Sequence, residues 1–97
     1  MIRVILERRL KEGKYEDFTE RLRELRMAAV RQPGYVSGEV LSSVDDASRI
    51  LVISTWRNLN DWKKWAASEE RAKLAGRINE LLTEKPEVKA YQIITTE

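Results

Sequence analysis

An α+β fold of the ferredoxin-like type, a four-stranded antiparallel sheet with its helices on one face, is predicted by three features of the sequence. The first ten residues alternate in the two-residue period of a strand, residues 14–31 carry an apolar stripe at helical spacing, and the stretch from Arg49 to Arg71 runs from an apolar strand straight into an amphipathic helix. Completed by a second strand and a last one, the order is strand, helix, strand, strand, helix, strand. That is the split βαβ order. Right-handed crossovers return both helices to the same side of the sheet and leave the other face uncovered.

The first strand, Met1 to Leu10, sets Ile2, Val4 and Leu6 against Arg3, Ile5 and Glu7, and Lys11, Glu12 and Gly13 end it. From Lys14 to Arg31 the residues Tyr15, Phe18, Leu22, Leu25 and Ala29 recur at steps of three and four, so they form one helical stripe. Gln32, Pro33 and Gly34 terminate this helix, because the residue before Pro avoids helical geometry and Gly tolerates a left-handed turn. Tyr35 to Ser43 reads as strand, with Gly38 as a bulge or a point of close backbone approach. Residues 44–48 suit a hairpin connection.

The third strand, Arg49 to Trp56, holds the apolar run Ile50, Leu51, Val52 and Ile53, which predicts burial on both faces. Asn58 is placed to cap a short helix carrying Leu59, Trp62, Trp65 and Ala66. Ser68 is placed to cap a second helical segment, Glu69 to Thr83, whose stripe is Ala72, Ala75, Ile78 and Leu82; Gly76 weakens it. Pro86 ends the helical region. Val88 to Thr95 forms the last strand, with Tyr91 and Ile93 on one side and Ala90, Gln92 and Ile94 on the other.

At 97 residues the chain is expected to be one domain, residues 1–97, with a core small enough that a partner's apolar surface would be a substantial gain. An uncovered sheet face rich in β-branched residues points the same way, towards a homodimer closed through that face. The 18 Lys and Arg and 16 Asp and Glu are interleaved along both helices and leave a net charge of +2, so no basic stripe for nucleic acid emerges. With no Cys and no His, disulfides, thiolate chemistry, Ser-His and Cys-His nucleophile pairs and axial haem ligation by His are excluded. Metal is not expected, because only carboxylates remain as ligands, and Asp45 and Asp46 in a turn are too few for Ca²⁺. No secretory signal and no apolar run of about 20 residues occur, so no membrane partner and a cytoplasmic location are expected.

With the elements in this order, QPGY between the first helix and second strand, and VISTWRNLNDWKKWAASEE at the passage from third strand to helix, the sequence resembles the antibiotic biosynthesis monooxygenase (ABM) domain family. The resemblance spans nearly the whole chain. It implies a dimeric α/β barrel, in which two subunits pack sheet against sheet, with a pocket between sheet and helices in each. It also implies an activity without cofactor, since cofactor-independent oxygenases of polyketide phenols and quinols belong to the family beside haem-degrading enzymes, isomerases and members of no established activity. Haem degradation is disfavoured: Trp65 is similar to the Trp of those members, but Arg8 stands at about the place of their Asn and Ala75 at that of their His. The quinol monooxygenase-like and isomerase-like members often have His at the place of Trp65 and near Glu70, and this chain has neither.

Polyketide anthrone oxygenases, which hold a phenolic substrate with Trp, Asn, Tyr and Arg, are more similar, and Asn58, Trp62, Trp65, Tyr91 and Arg8 are the possible counterparts here. Each has a plainer role to set beside it. Trp56 and Trp62 suit core packing, Asn58 a helix cap, and Arg8 and Arg9 the solvated guard of a strand edge. In the sharper reading Trp62, Trp65 and Tyr91 line a pocket for a small aromatic molecule, and Arg8 or Asn58 stabilises negative charge developing on it. Two functions follow: a monooxygenase acting on a phenol or quinol, or a non-catalytic dimeric module that binds a small molecule. An open apolar pocket favours the first; a pocket plugged by the tryptophans favours the second.

Overall fold

In a computed structural model, which describes residues 1–96, the chain forms β1 (Ile2–Arg9), α1 (Tyr15–Val30), β2 (Tyr35–Ser42), β3 (Arg49–Trp56), α2 (Leu59–Ala66), α3 (Glu69–Asn79) and β4 (Glu87–Gln92). The sheet order is β2-β3-β1-β4 and every neighbouring pair is antiparallel. This is the expected ferredoxin-like α+β arrangement, with the second helical region split by Ala67 and Ser68.

The pairing register decides which side chains share a face. Ile2, Val4, Leu6 and Arg8 of β1 stand opposite Trp56, Ser54, Val52 and Ile50 of β3, and these eight face the helices. They meet Phe18, Leu22, Leu25 and Ala28 of α1, Trp62 and Trp65 of α2, and Ile78 of α3, which together form the core. Phe18, Trp56 and Ile78 are the largest side chains fully enclosed in it. Arg3, Ile5 and Glu7 pair with Thr55, Ile53 and Leu51, and with Tyr91, Lys89 and Glu87 of β4, on the face the helices do not cover.

Several elements depart from the sequence expectation for local reasons. Tyr15 opens α1 at its exposed end and is 58% accessible, so the buried stripe begins at Phe18 and takes in Ala28. The one irregularity of β2 falls between Tyr35 and Ser37, while Gly38 is a close-approach site: the Tyr35 hydroxyl lies where a Cβ of residue 38 would be. Leu51 and Ile53 are half-buried in the protomer, against an expectation of burial on both faces of β3, because helices pack on one face alone.

The last helix ends at Asn79, short of the predicted Thr83, because the chain must turn there to join the end of β1. Leu82 bridges Leu10, the Lys11 amide donates to the Leu81 carbonyl, and the Thr83 amide donates to the Arg9 carbonyl. Ala72, placed by its spacing on the buried stripe of α3, is exposed; the stripe runs through Arg71, Leu74, Ala75 and Ile78. Strand β4 stops at Gln92, three residues before the predicted Thr95, since β1 begins at Ile2 and offers only the Met1 carbonyl beyond it, which accepts from the Ile93 amide at 3.0 Å.

Candidate functional site

The passage from β3 to α2 fixes the aromatic side chains. Trp56 closes β3, and two residues later Asn58 caps α2 by accepting a hydrogen bond from the Asp61 amide at 2.9 Å. Gly34 makes the turn into β2 possible, with φ of 86° and the Asp61 side chain packed where a Cβ would stand. Four groups then stack in sequence. Tyr35 meets Trp56 edge to face with centroids 5.5 Å apart, Trp56 meets Trp62 at 5.6 Å, and the Arg71 guanidinium lies 5.3 Å over the Trp62 ring. Trp56 Nε1 donates to Ser54 Oγ at 3.0 Å, so this indole is fully accounted for inside the core.

Between the sheet and α1, α2 and α3 lies a cavity of about 70 Å³ whose walls include Leu22, Tyr35, Trp62, Trp65, Arg8 and Arg71. Apolar groups dominate it, and its charge is one-sided. Arg8 and Arg71 border it together with Arg26 of α1, and the one acidic residue at its wall, Glu39, pairs with Ile53 and so directs its side chain to the opposite face of the sheet. Neither Arg8 nor Arg71 forms an ion pair among the described residues.

Arg8 is the unusual member. It is 3% accessible, and its Nε is buried with no hydrogen-bond partner. Burial, reinforced by the positive charge of Arg71, pulls its guanidinium pKa down to about 10. Burial lowers that of Arg71 as well. At neutral pH both remain cations, so the cavity offers uncompensated positive charge and free donors inside a shell of indole and aliphatic carbon.

The sequence candidates thus separate. Arg8, Trp62 and Trp65 come together at this cavity. Asn58 does not: its side chain is spent on the cap of α2 and lies outside the cavity wall. Tyr91 does not either, because it pairs with Arg3 on the uncovered sheet face and is 49% accessible. Two residues that the sequence reading passed over, Arg71 and Tyr35, take their places. Arg71 follows the Ser68 cap by three residues and precedes Ile78 by seven, so one of the two helical stripes that pass through Ile78 includes it.

The domain is thus a four-stranded sheet covered on one face by helices, with a charged, largely apolar cavity between the two layers. The chain belongs to the antibiotic biosynthesis monooxygenase family, whose sequence profile matches residues 1–77. Its fold is similar to those of several solved structures. A conserved protein from Methanosarcina mazei Go1 superposes with a TM-score of 0.88 at 16% identity, covering 94% of this chain and 90% of that one. SnoaB, a cofactor-independent oxygenase from Streptomyces nogalater, superposes with a TM-score of 0.84 at 19% identity, covering 98% and 95%. Rv0793 from Mycobacterium tuberculosis gives 0.86 at 15% identity, covering 98% and 96%. Among curated protein sequences there is no significant match. Among the described residues no helix is long and apolar enough to cross a membrane, and no three His, Cys, Asp or Glu side chains gather as a metal site.

Proposed function

We propose that this single-domain protein is a monooxygenase that oxidises a small phenol or quinol with molecular oxygen and no cofactor, working as a homodimer closed through the uncovered sheet face. The carrying observation is the cavity beneath Trp62 and Trp65 with the unpartnered Arg8 in its wall. Membership of the family and the likeness to a cofactor-independent oxygenase support the same reading.

The chemistry asks little of the protein beyond charge and exclusion of water. A phenol must become a phenolate before it reduces O₂, and two nearby guanidinium groups in a low-dielectric site lower the phenol's pKa. The phenolate gives the electrons. One oxygen atom of O₂ enters the ring as a new carbonyl, the other leaves as water with the two hydrogens lost by the substrate, and the product is the quinone. Trp62 and Trp65 hold the ring plane and keep bulk water from the intermediate.

The uncovered face suits a second copy. Ile5, Leu51 and Ile53 are half-buried there, and Leu41 and Tyr91 are exposed. The oxygenase reading is tested by oxygen uptake with a panel of phenols, hydroquinones and anthrones under metal-free conditions. Uptake that matches quinone formation one to one, and that falls at least tenfold in Trp65→Ala, is the expected result. A panel without uptake would leave the binding module as the surviving function.

A further inference from the structure

We propose that the ligand of this cavity carries a carboxylate: a single-ring aromatic acid of the benzoate class, its ring against Trp62 and Trp65 and its carboxylate on the guanidinium groups of Arg8 and Arg71. The inference rests on the reading of this cavity as the ligand site, and it does not require oxygenation.

Three observations carry it. First, Arg8 borders the cavity and its buried Nε has no hydrogen-bond partner, and a guanidinium is the group that grips a carboxylate through two parallel hydrogen bonds. A phenol oxygen meets one of those donors and leaves the other unpaired. Second, the charge of the cavity lacks a partner within the protomer, since the Glu39 side chain lies across the sheet and neither Arg8 nor Arg71 forms an ion pair among the described residues. A carboxylate arrives already ionised at neutral pH, whereas a phenol must first be deprotonated. Third, the cavity is lined chiefly by aliphatic carbon and indole, and at about 70 Å³ it is smaller than the cavity of about 150 Å³ that encloses one benzene ring elsewhere, so it takes the carboxylate end of a small ligand with a single ring only partly enclosed at the mouth, and not a fused tricycle. Arg71 is held over Trp62 before any ligand comes, and this lowers the entropy cost of binding.

The experiment is isothermal titration of the intact chain at pH 7 with benzoate, its neutral isostere benzamide, phenol and sulfate. Benzoate is expected to bind at least tenfold more tightly than each of the others. Arg8→Met and Arg71→Met, each verified as folded by its thermal melt, are expected to lose at least tenfold in benzoate affinity and to leave benzamide unchanged. Arg8→Lys, which keeps the charge and removes the two-donor edge, is expected to recover only part of the loss. Equal binding of benzoate and benzamide, equal binding of sulfate, absence of benzoate binding, or full benzoate affinity in either Met variant would overturn the proposal. Oxygenation fails separately. Loss of oxygen uptake with intact benzoate selectivity refutes the enzyme and keeps the acid site, while oxygen uptake with phenols and equal binding of benzoate and benzamide refutes the acid site and keeps the enzyme.

Discussion

Replacing Arg8 by Met is expected to stabilise the protein while destroying its selectivity for anions. The guanidinium is 3% accessible with an unpartnered Nε, and burial pulls its pKa down to about 10 from its ordinary value. That drop, at about 1.4 kcal/mol per pH unit, sets an upper figure of about 3.5 kcal/mol against folding in the charged form. Because the unfolded chain holds this proton more tightly, the penalty is fully present below about pH 10 and is relieved as the pH rises above it. Water entering the cavity reduces it, and about 2 kcal/mol is the expected gain for Met, a chain of similar length with no donors. For a domain of this size that is a rise in Tm of about 8–16 °C, read by calorimetry or circular dichroism at pH 7. Benzoate at a hundredfold over the natural protein's Kd should restore about 2.7 kcal/mol to the natural protein and at most about 1.4 kcal/mol to the variant. A variant that melts lower than the natural protein would refute the reasoning, since it would show that Arg8 makes hydrogen bonds that stabilise the fold.

The other outcomes concern elements around the site. Ile78→Ala, at a position of 0% accessibility, should cost about 3–4 kcal/mol in urea unfolding, the loss of a fully enclosed side chain that α1 and the sheet cannot collapse to fill. Gly34→Ala should cost about 2 kcal/mol by the same measurement, because φ of 86° strains an alanine and its Cβ would come within 2.6 Å of the Asp61 Cβ. Asn58→Ala should lower stability by about 1 kcal/mol through loss of the α2 cap and leave benzoate affinity within twofold, which separates a cap from a catalytic amide. Ile53→Asp, in the middle of the uncovered face, should convert a dimer to monomers in sedimentation velocity at micromolar concentration.

The elements were legible where one physical signal sufficed. Period-two alternation marked β1, the three-and-four stripe marked α1, and Asn58 and Ser68 marked the starts of α2 and α3, because a cap is a local hydrogen bond between residues three apart. Ends that depend on distant partners were not legible. The stop of α3 at Asn79 answers to β1 through Leu10 and Leu82, and the stop of β4 answers to the first residue of β1; neither partner is near in sequence. At the site, Trp62, Trp65 and Arg8 could be named because bulky aromatics and a strand-borne cation stand out in any sequence. Arg71 could not, since spacing alone admits two registers for α3. The alanine register looks apolar throughout, while the true one carries a charge whose burial makes sense only beside Trp62. Tyr91 was misplaced for a related reason: alternation fixes which residues share a face, but only the pairing of Arg3 with Tyr91 says which face that is.

That register also explains why two arginines under one set of helices argue for a ligand and not for a structural motif. Even on the surface, where the pairing gains little, Arg77 sits beside Glu24 at 3.0 Å and Arg49 beside Glu7 at 3.2 Å, and a cation buried for the sake of the fold needs such a partner more. Arg8 is almost fully buried and Arg71 partly so, and the positive charge of Arg71 adds to the cost of burying Arg8. Other chemistry for the wall was at hand, since neighbouring positions on the same faces are Leu6, Val52 and Leu74. A fold that gives up stability at two positions on separate elements, both bordering one cavity, is arranged to recover it when an anion enters.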